Sequence, residues 1–167
     1  MANLDTPTGL KLIGDSRVIK RKVDASNSVA IFINHPVKEE TDGNVAGMSA
    51  ASDDYIGVVV GILDTDGKSV NTLAASTAGT VLVAYSPEAE FEIQFDSAGS
   101  EPTAAAIGDC ADLVFTHSGS TDSGLSGVEL SETLAGDGNS AQFRILELID
   151  RQGNEWGPLL LQLFSVE

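Results

Sequence analysis

The clearest periodicity in the chain is Glu90-Phe91-Glu92-Ile93-Gln94-Phe95, in which Phe91, Ile93 and Phe95 share one face and the polar residues the other. An alternation of period two marks a strand that is wet on one side. Residues 29–33 (Val-Ala-Ile-Phe-Ile), Tyr55–Leu63 and residues 80–85 (Thr-Val-Leu-Val-Ala-Tyr) are apolar without alternation. Each ends in turn chemistry, at Asn34-His35-Pro36, Asp64-Thr65-Asp66-Gly67 and Ser86-Pro87, so each predicts a strand, 29–33 buried on both faces, Tyr55–Leu63 central and 80–85 the next. Residues 103–107 predict one helical turn and 111–115 a short strand. Residues 142–150 and 159–166 predict a final hairpin with a long loop. In its last strand Leu159, Leu161 and Leu163 point one way and Leu160, Phe164 and Val166 the other. A strand dry on both sides implies a core on one face and a partner subunit or a covering arm on the other, and with a partner Leu160, Phe164 and Val166 are the expected oligomer interface. Residues 39–54 and 117–126, rich in Gly, Ser, Ala, Thr and Asp, predict loops, the first of them mobile. The expected fold class is all-β, a compact β-barrel or β-sandwich.

The front of the chain reads differently. Residues 1–25 hold few large apolar side chains, and Pro7, Gly9 and Gly14 break any helix, which predicts an extended arm ahead of a single β-rich domain over 26–167. Stretched out, 25 residues reach at most ~80–90 Å, enough to cross a neighbouring subunit. Charge sharpens this division. Of 9 basic and 25 acidic residues, Lys11, Arg17, Lys20, Arg21, Lys22 and Lys38 lie in the first thirty-eight positions with only Asp5, Asp15 and Asp24, so 6 − 3 gives +3 there and 3 − 22 gives −19 behind. A basic segment on an acidic body suits contact with another protein, while the body repels nucleic acid and anionic membrane, neither of which is an expected partner. The expected contact residues are Leu10, Lys11, Arg17, Lys20, Arg21 and Lys22. The longest apolar run is nine residues, about half the ~18 of a transmembrane helix, and the first residues lack a secretory pattern, which predicts synthesis in the cytoplasm.

Candidate chemistry changes little. Residues 136–141 (Gly-Asp-Gly-Asn-Ser-Ala) match a dinucleotide-loop spacing but precede a strand, so a tight turn is the better reading. Gly67-Lys68-Ser69 lacks the earlier glycine of a phosphate loop, since position 62 is Ile62. Asp64, Asp66 and Gly67 lack the distal ligands of a calcium loop and read as an Asp-Gly turn. His35 and His117 are not ligand-spaced and read as loop histidines, and Ser118 and Ser120 near His117 sit in no nucleophile elbow. Cys110, the lone cysteine, is expected as a free buried thiol. No catalytic residue, cofactor or metal site is assigned, and an enzyme is not expected.

The opening Met1-Ala2-Asn3-Leu4-Asp5-Thr6-Pro7-Thr8-Gly9-Leu10 resembles that of small structural proteins of tailed bacteriophages that decorate, or cement, the capsid. Three later stretches are similar in order and spacing: Ala105-Ala106-Ile107-Gly108 running into Ala111-Asp112-Leu113-Val114, Gly124-Leu125-Ser126-Gly127-Val128-Glu129-Leu130, and Ile145-Leu146-Glu147-Leu148-Ile149-Asp150-Arg151 with Asn154-Glu155. The resemblance implies a β-rich protein made in the host cytoplasm that binds the outer surface of the virion's capsid as an oligomer. Its partners would be the major capsid protein, at junctions between subunits, and further copies of itself, a homotrimer ahead of a dimer. The alternative from another class is a virion module that recognises glycan or a host receptor through loop 117–126, with Trp156 and Tyr55 as stacking residues.

Overall fold

The computed structural model describes residues 7–86, 88–96, 103–135, 141–149 and 158–163. In chain order its strands begin with β1 (Lys11–Ile13), β2 (Arg17–Val23), β3 (Ile31–Phe32), β4 (Pro36–Glu39), β5 (Val45–Gly47), β6 (Tyr55–Leu63), β7 (Ser69–Val70) and β8 (Thr72–Leu73). There follow β9 (Gly79–Tyr85), β10 (Glu90–Gln94), β11 (Cys110–Ala111), β12 (Leu113–Val114), β13 (Glu129–Leu130), β14 (Phe143–Leu148) and β15 (Pro158–Leu163). The helical turn predicted at 103–107 is a 3-10 turn at Ala104–Ala106.

The long apolar run forms β6, the middle of a six-stranded antiparallel sheet ordered β2-β9-β6-β4-β5, with β7 added beside β6. Its lack of alternation has a direct cause, because the strand feeds two cores. Val59 and Ile62 join Val37, Val45, Val81 and Val83 in one, whereas Val58 turns to the other, where Phe91, Phe95, Phe143 and Ile145 lie. The edge strands β2 and β5 come back into contact, and an Arg21–Glu39 ion pair spans from β2 to β4, so the sheet curls around its core without closing. A second sheet, β1-β10-β15-β14-β11, carries the aromatic core, and the β12–β13 ribbon adds Leu113 and Leu130 to it. The architecture is therefore an all-β, sandwich-like fold, with the barrel alternative set aside. Strand β10 alternates as its sequence requires, with Phe91 and Ile93 buried between half-buried Glu90, Glu92 and Gln94.

Residues 7–25 correct the expectation of a free arm. They are extended in backbone, but β1 pairs with β10 and β2 pairs with β9 over seven register positions from Arg17↔Tyr85 to Val23↔Gly79. The supposed helix breakers are turning points instead. Gly9 (φ 72°) lets the chain pass Asn34, whose carbonyl accepts the Leu10 N–H at 3.0 Å, and Gly14 (φ 80°) carries it from one sheet to the other. Leu10 is fully buried in the aromatic core. Residues 39–54 are likewise more ordered than predicted. Strand β5 is buried there, and the Asp53 carboxylate accepts from Lys38 Nζ (2.7 Å) and from the N–H groups of Ser49 (2.9 Å) and Ala50 (3.2 Å). Burial pushes the Asp53 carboxyl up, but these bonds and the Lys38 charge outweigh it and hold the carboxyl below its ordinary range.

Strand β15 lies between β10 and β14 in the predicted hairpin, with Leu161 in register with Phe91 and Ile145, and Leu160 with Glu92 and Glu147. Phe164 and Val166 lie outside the described residues, as do Trp156 and most of the 136–141 motif. Among the described residues no helix is long and apolar enough to cross a membrane.

Gly57 shows how tightly the central sheet is built. A Cβ there would stand 2.4 Å from the Ala84 carbonyl oxygen and 2.5 Å from Val83 Cγ1. Gly57→Ala is expected to lower stability by about 1–3 kcal/mol, read as an earlier midpoint in urea with the slope unchanged. An unchanged midpoint would contradict this packing.

Candidate functional site

The basic residues sort into two groups once their surroundings are drawn. Lys11 meets Glu92 at 3.1 Å, Arg21 is paired with Glu39, Lys38 meets Asp53 at 2.7 Å, and Arg144 is also engaged. Among the described residues, Arg17, Lys20, Lys22 and Lys68 are exposed and have no ion pair or side-chain hydrogen bond, although the chain holds 25 acids; Lys68 sits in the turn after β6, and the other three lie on edge strand β2. Alternation places Lys20 and Lys22 on one face with Val18, which is half exposed, and turns Ile19, Arg21 and Val23 toward the core beneath. Arg17 is in register with Tyr85, another half-exposed side chain. Of the six expected contact residues, the structure thus leaves Arg17, Lys20 and Lys22 free for a partner. Leu10 is buried, and Lys11 and Arg21 are occupied within the chain. Edge lysines also hinder strand-to-strand aggregation, a role that needs no partner.

A second region forms where Thr8, Asn34-His35, Met48 and residues 117–127 converge. His35, read from the sequence as a loop histidine, is buried. Its Nε2 lies 3.1 Å from the Met48 carbonyl, an acceptor only, so Nε2 carries the proton and Nδ1 accepts from the Ser126 hydroxyl at 3.0 Å. Ser126 Oγ in turn accepts the Val128 N–H at 3.3 Å. Desolvation pushes the imidazole down to about 4, against the smaller upward pull of its bond to Met48. A serine beside a histidine resembles a nucleophile with its base, yet Ser126 is fully buried and the far nitrogen meets a carbonyl where a triad has a carboxylate. The arrangement ties three distant segments together.

Above it, the legs of loop 117–127 and residues Pro7 and Thr8 wall a groove of about 530 Å³. His117, on its wall, places Nε2 3.5 Å from Oε2 of Glu129, while Gln94 Nε2 donates to Glu129 Oε1 at 3.1 Å. Glu129 is fully buried, a position that is costly for a carboxylate unless it is paired or hydrogen-bonded. Its place in a two-residue strand beside Leu130 gave no sign of this in the sequence. Tyr55 does not reach the groove. It packs edge-on against Phe143 with ring centroids 5.3 Å apart, and burial raises its hydroxyl pKa, so it is a core residue and not a stacking platform.

The remaining motifs settle as turns. Asp64 Oδ1 accepts the N–H groups of Asp66 (2.9 Å) and Lys68 (2.8 Å), with Gly67 at φ 80°. Among the described residues there is one cluster of three carboxylates, Asp24, Glu40 and Asp42, of which Asp24 and Asp42 are engaged in similar capping. Ser26 bonds hold the Asp24 carboxyl low, and Asn44 donates to both oxygens of Asp42. Cys110 is buried and free of any disulfide.

No family model, curated protein or solved structure matches the chain. Leu10, Ala106, Ala111, Leu113, Val128, Leu130 and Ile145 meet in the aromatic core beside Phe91, Ile93 and Phe95, whereas the other core is built from residues 23–83.

Proposed function

We propose that the protein is a non-enzymatic structural component of a tailed-bacteriophage virion, binding the outer capsid surface as an oligomer and stabilising junctions between major capsid subunits. The observation that carries this reading is edge strand β2, where Arg17, Lys20 and Lys22 are exposed and find no acidic partner among the described residues in a chain of net charge −16. Bases left without acids under such an excess suit an acidic surface on another protein. The resemblance supplies the identity of that surface. The docking element is a face on a rigid sheet. That differs from the tether which the free arm would have provided, and it lowers the ordering cost on binding. Several such faces in one oligomer raise effective concentration on an assembled lattice, so binding is tight on shells and weak on loose subunits.

Co-sedimentation with assembled shells tests this. The double variant Lys20→Glu/Lys22→Glu loses two attractions and gains two repulsions, at about 0.5 kcal/mol each, so binding at low salt is expected to fall roughly thirtyfold, with the difference shrinking as salt rises. Unchanged binding in the variant, or equal binding of wild type to shells and to loose capsid subunits, would sink the proposal. If the lysines only guard the edge, the variant aggregates or stays soluble but shell binding does not move.

A further inference from the structure

We propose that the groove between Thr8 and loop 117–127 is a binding site for an uncharged polyhydroxylated ligand, a short neutral oligosaccharide. Its volume of about 530 Å³ lies within the range of small-molecule sites. A fifth of the chain is charged, yet none of the described residues lining this groove is Asp, Glu, Lys or Arg. The lining instead offers the hydroxyls of Thr8, Ser118, Ser120 and Ser123, the imidazole of His117 and the apolar side chain of Leu125.

The local hydrogen bonds give these groups direction. Ser120 Oγ accepts the Ser123 N–H at 3.4 Å, and Ser123 Oγ accepts the Leu125 N–H at 3.2 Å, which leaves both hydroxyl hydrogens to donate outward. His117 has its Nε2 3.5 Å from Oε2 of the buried Glu129, so any charge on the imidazole is balanced from behind by that carboxylate. Donors and acceptors side by side, without net charge, match sugar hydroxyls, each of which donates and accepts. An anionic ligand would meet no Lys or Arg among the described lining residues and a body of strongly negative charge. A metal ion would find one imidazole and hydroxyls only, since Glu129 lies behind the imidazole. The site does not depend on the capsid reading, because Arg17, Lys20 and Lys22 are not among its lining residues.

The test is an NMR titration of the full chain with a panel of neutral oligosaccharides built on glucose, galactose, mannose and N-acetylglucosamine, beside sialylated and sulfated glycans and inorganic phosphate. Expected are shifts of His117 and the 118–125 amides with at least one neutral member, and at least tenfold weaker binding in Ser120→Ala/Ser123→Ala and in His117→Phe, both retaining the wild-type melting temperature. Lys20→Glu/Lys22→Glu should bind that sugar like wild type. Silence across the neutral panel, binding of charged ligands alone, or full affinity in the serine double variant would each overturn the assignment. If His117→Phe fails to fold, the serine variant, whose side chains are exposed, decides.

Discussion

A chain lacking residues 1–23 is expected to have no folded state. The missing segment supplies an edge strand to each large sheet, β1 beside β10 and β2 beside β9, and it removes Leu10 from one core and Val23 from the other. Strand β9, dense in Val, Leu and Ala, would lose its cover and stand as a bare apolar edge, a template for aggregation. The expected outcome is insoluble protein, or soluble material without a cooperative melting transition. A graded version avoids the all-or-none result. Leu10→Ala removes a fully buried side chain, at a cost of about 2–5 kcal/mol, which lowers the melting temperature by roughly 5–20 °C in a protein of this size. A truncated chain that melts cooperatively at the wild-type temperature would restore the free arm and discredit the sheet pairing.

The same segment shows what could and could not be read in the sequence. Its strand character was present in Arg17-Val18-Ile19-Lys20-Arg21-Lys22-Val23, where Ile19 and Val23 recur on one face and Lys20 and Lys22 on the other. The base at Arg21 interrupts the apolar face, and only Glu39, brought close by the curl of the sheet, explains why a base is tolerated there. Counting bases along the chain could not tell the paired from the unpaired ones, because pairing with Glu92, Glu39 and Asp53 is settled by folding. Strands β6, β9 and β10 were legible because period and apolar density act over neighbouring residues. The groove was legible only as loop 117–126, since Thr8 lies more than a hundred residues earlier. The His35–Ser126 bond joins residues 91 apart, and nothing adjacent to His35 announces its burial. Local pattern reports faces, and tertiary closure decides which polar residues those faces enclose.

That enclosed histidine should make the protein acid-sensitive at a pH above the carboxylate range. In the unfolded chain the imidazole titrates near 6.5, and in the folded one at about 4. Between these values the unfolded state binds the extra proton, so stability falls as pH falls. The contribution is complete above about 6.5 and gone by about 4. At about 1.4 kcal/mol per pH unit the loss approaches ~3 kcal/mol, or roughly 6–12 °C in melting temperature. Asp53 works in a different window. Its folded carboxyl is held below the ordinary value of 3.8, so its contribution is present above that value and is lost only as pH falls further. The other carboxylates begin to neutralise toward pH 4, which relieves repulsion in a chain of charge −16 and acts in the opposite direction. Comparison with His35→Gln separates the terms, because the amide retains a donor and an acceptor for Met48 and Ser126 but cannot titrate. The variant should be less stable than wild type at pH 7.5, and the gap should close by ~3 kcal/mol on going to pH 4. A gap that stays constant with pH would mean that water or a relaxed loop reaches His35, and the buried junction beneath the groove would then have to be redrawn.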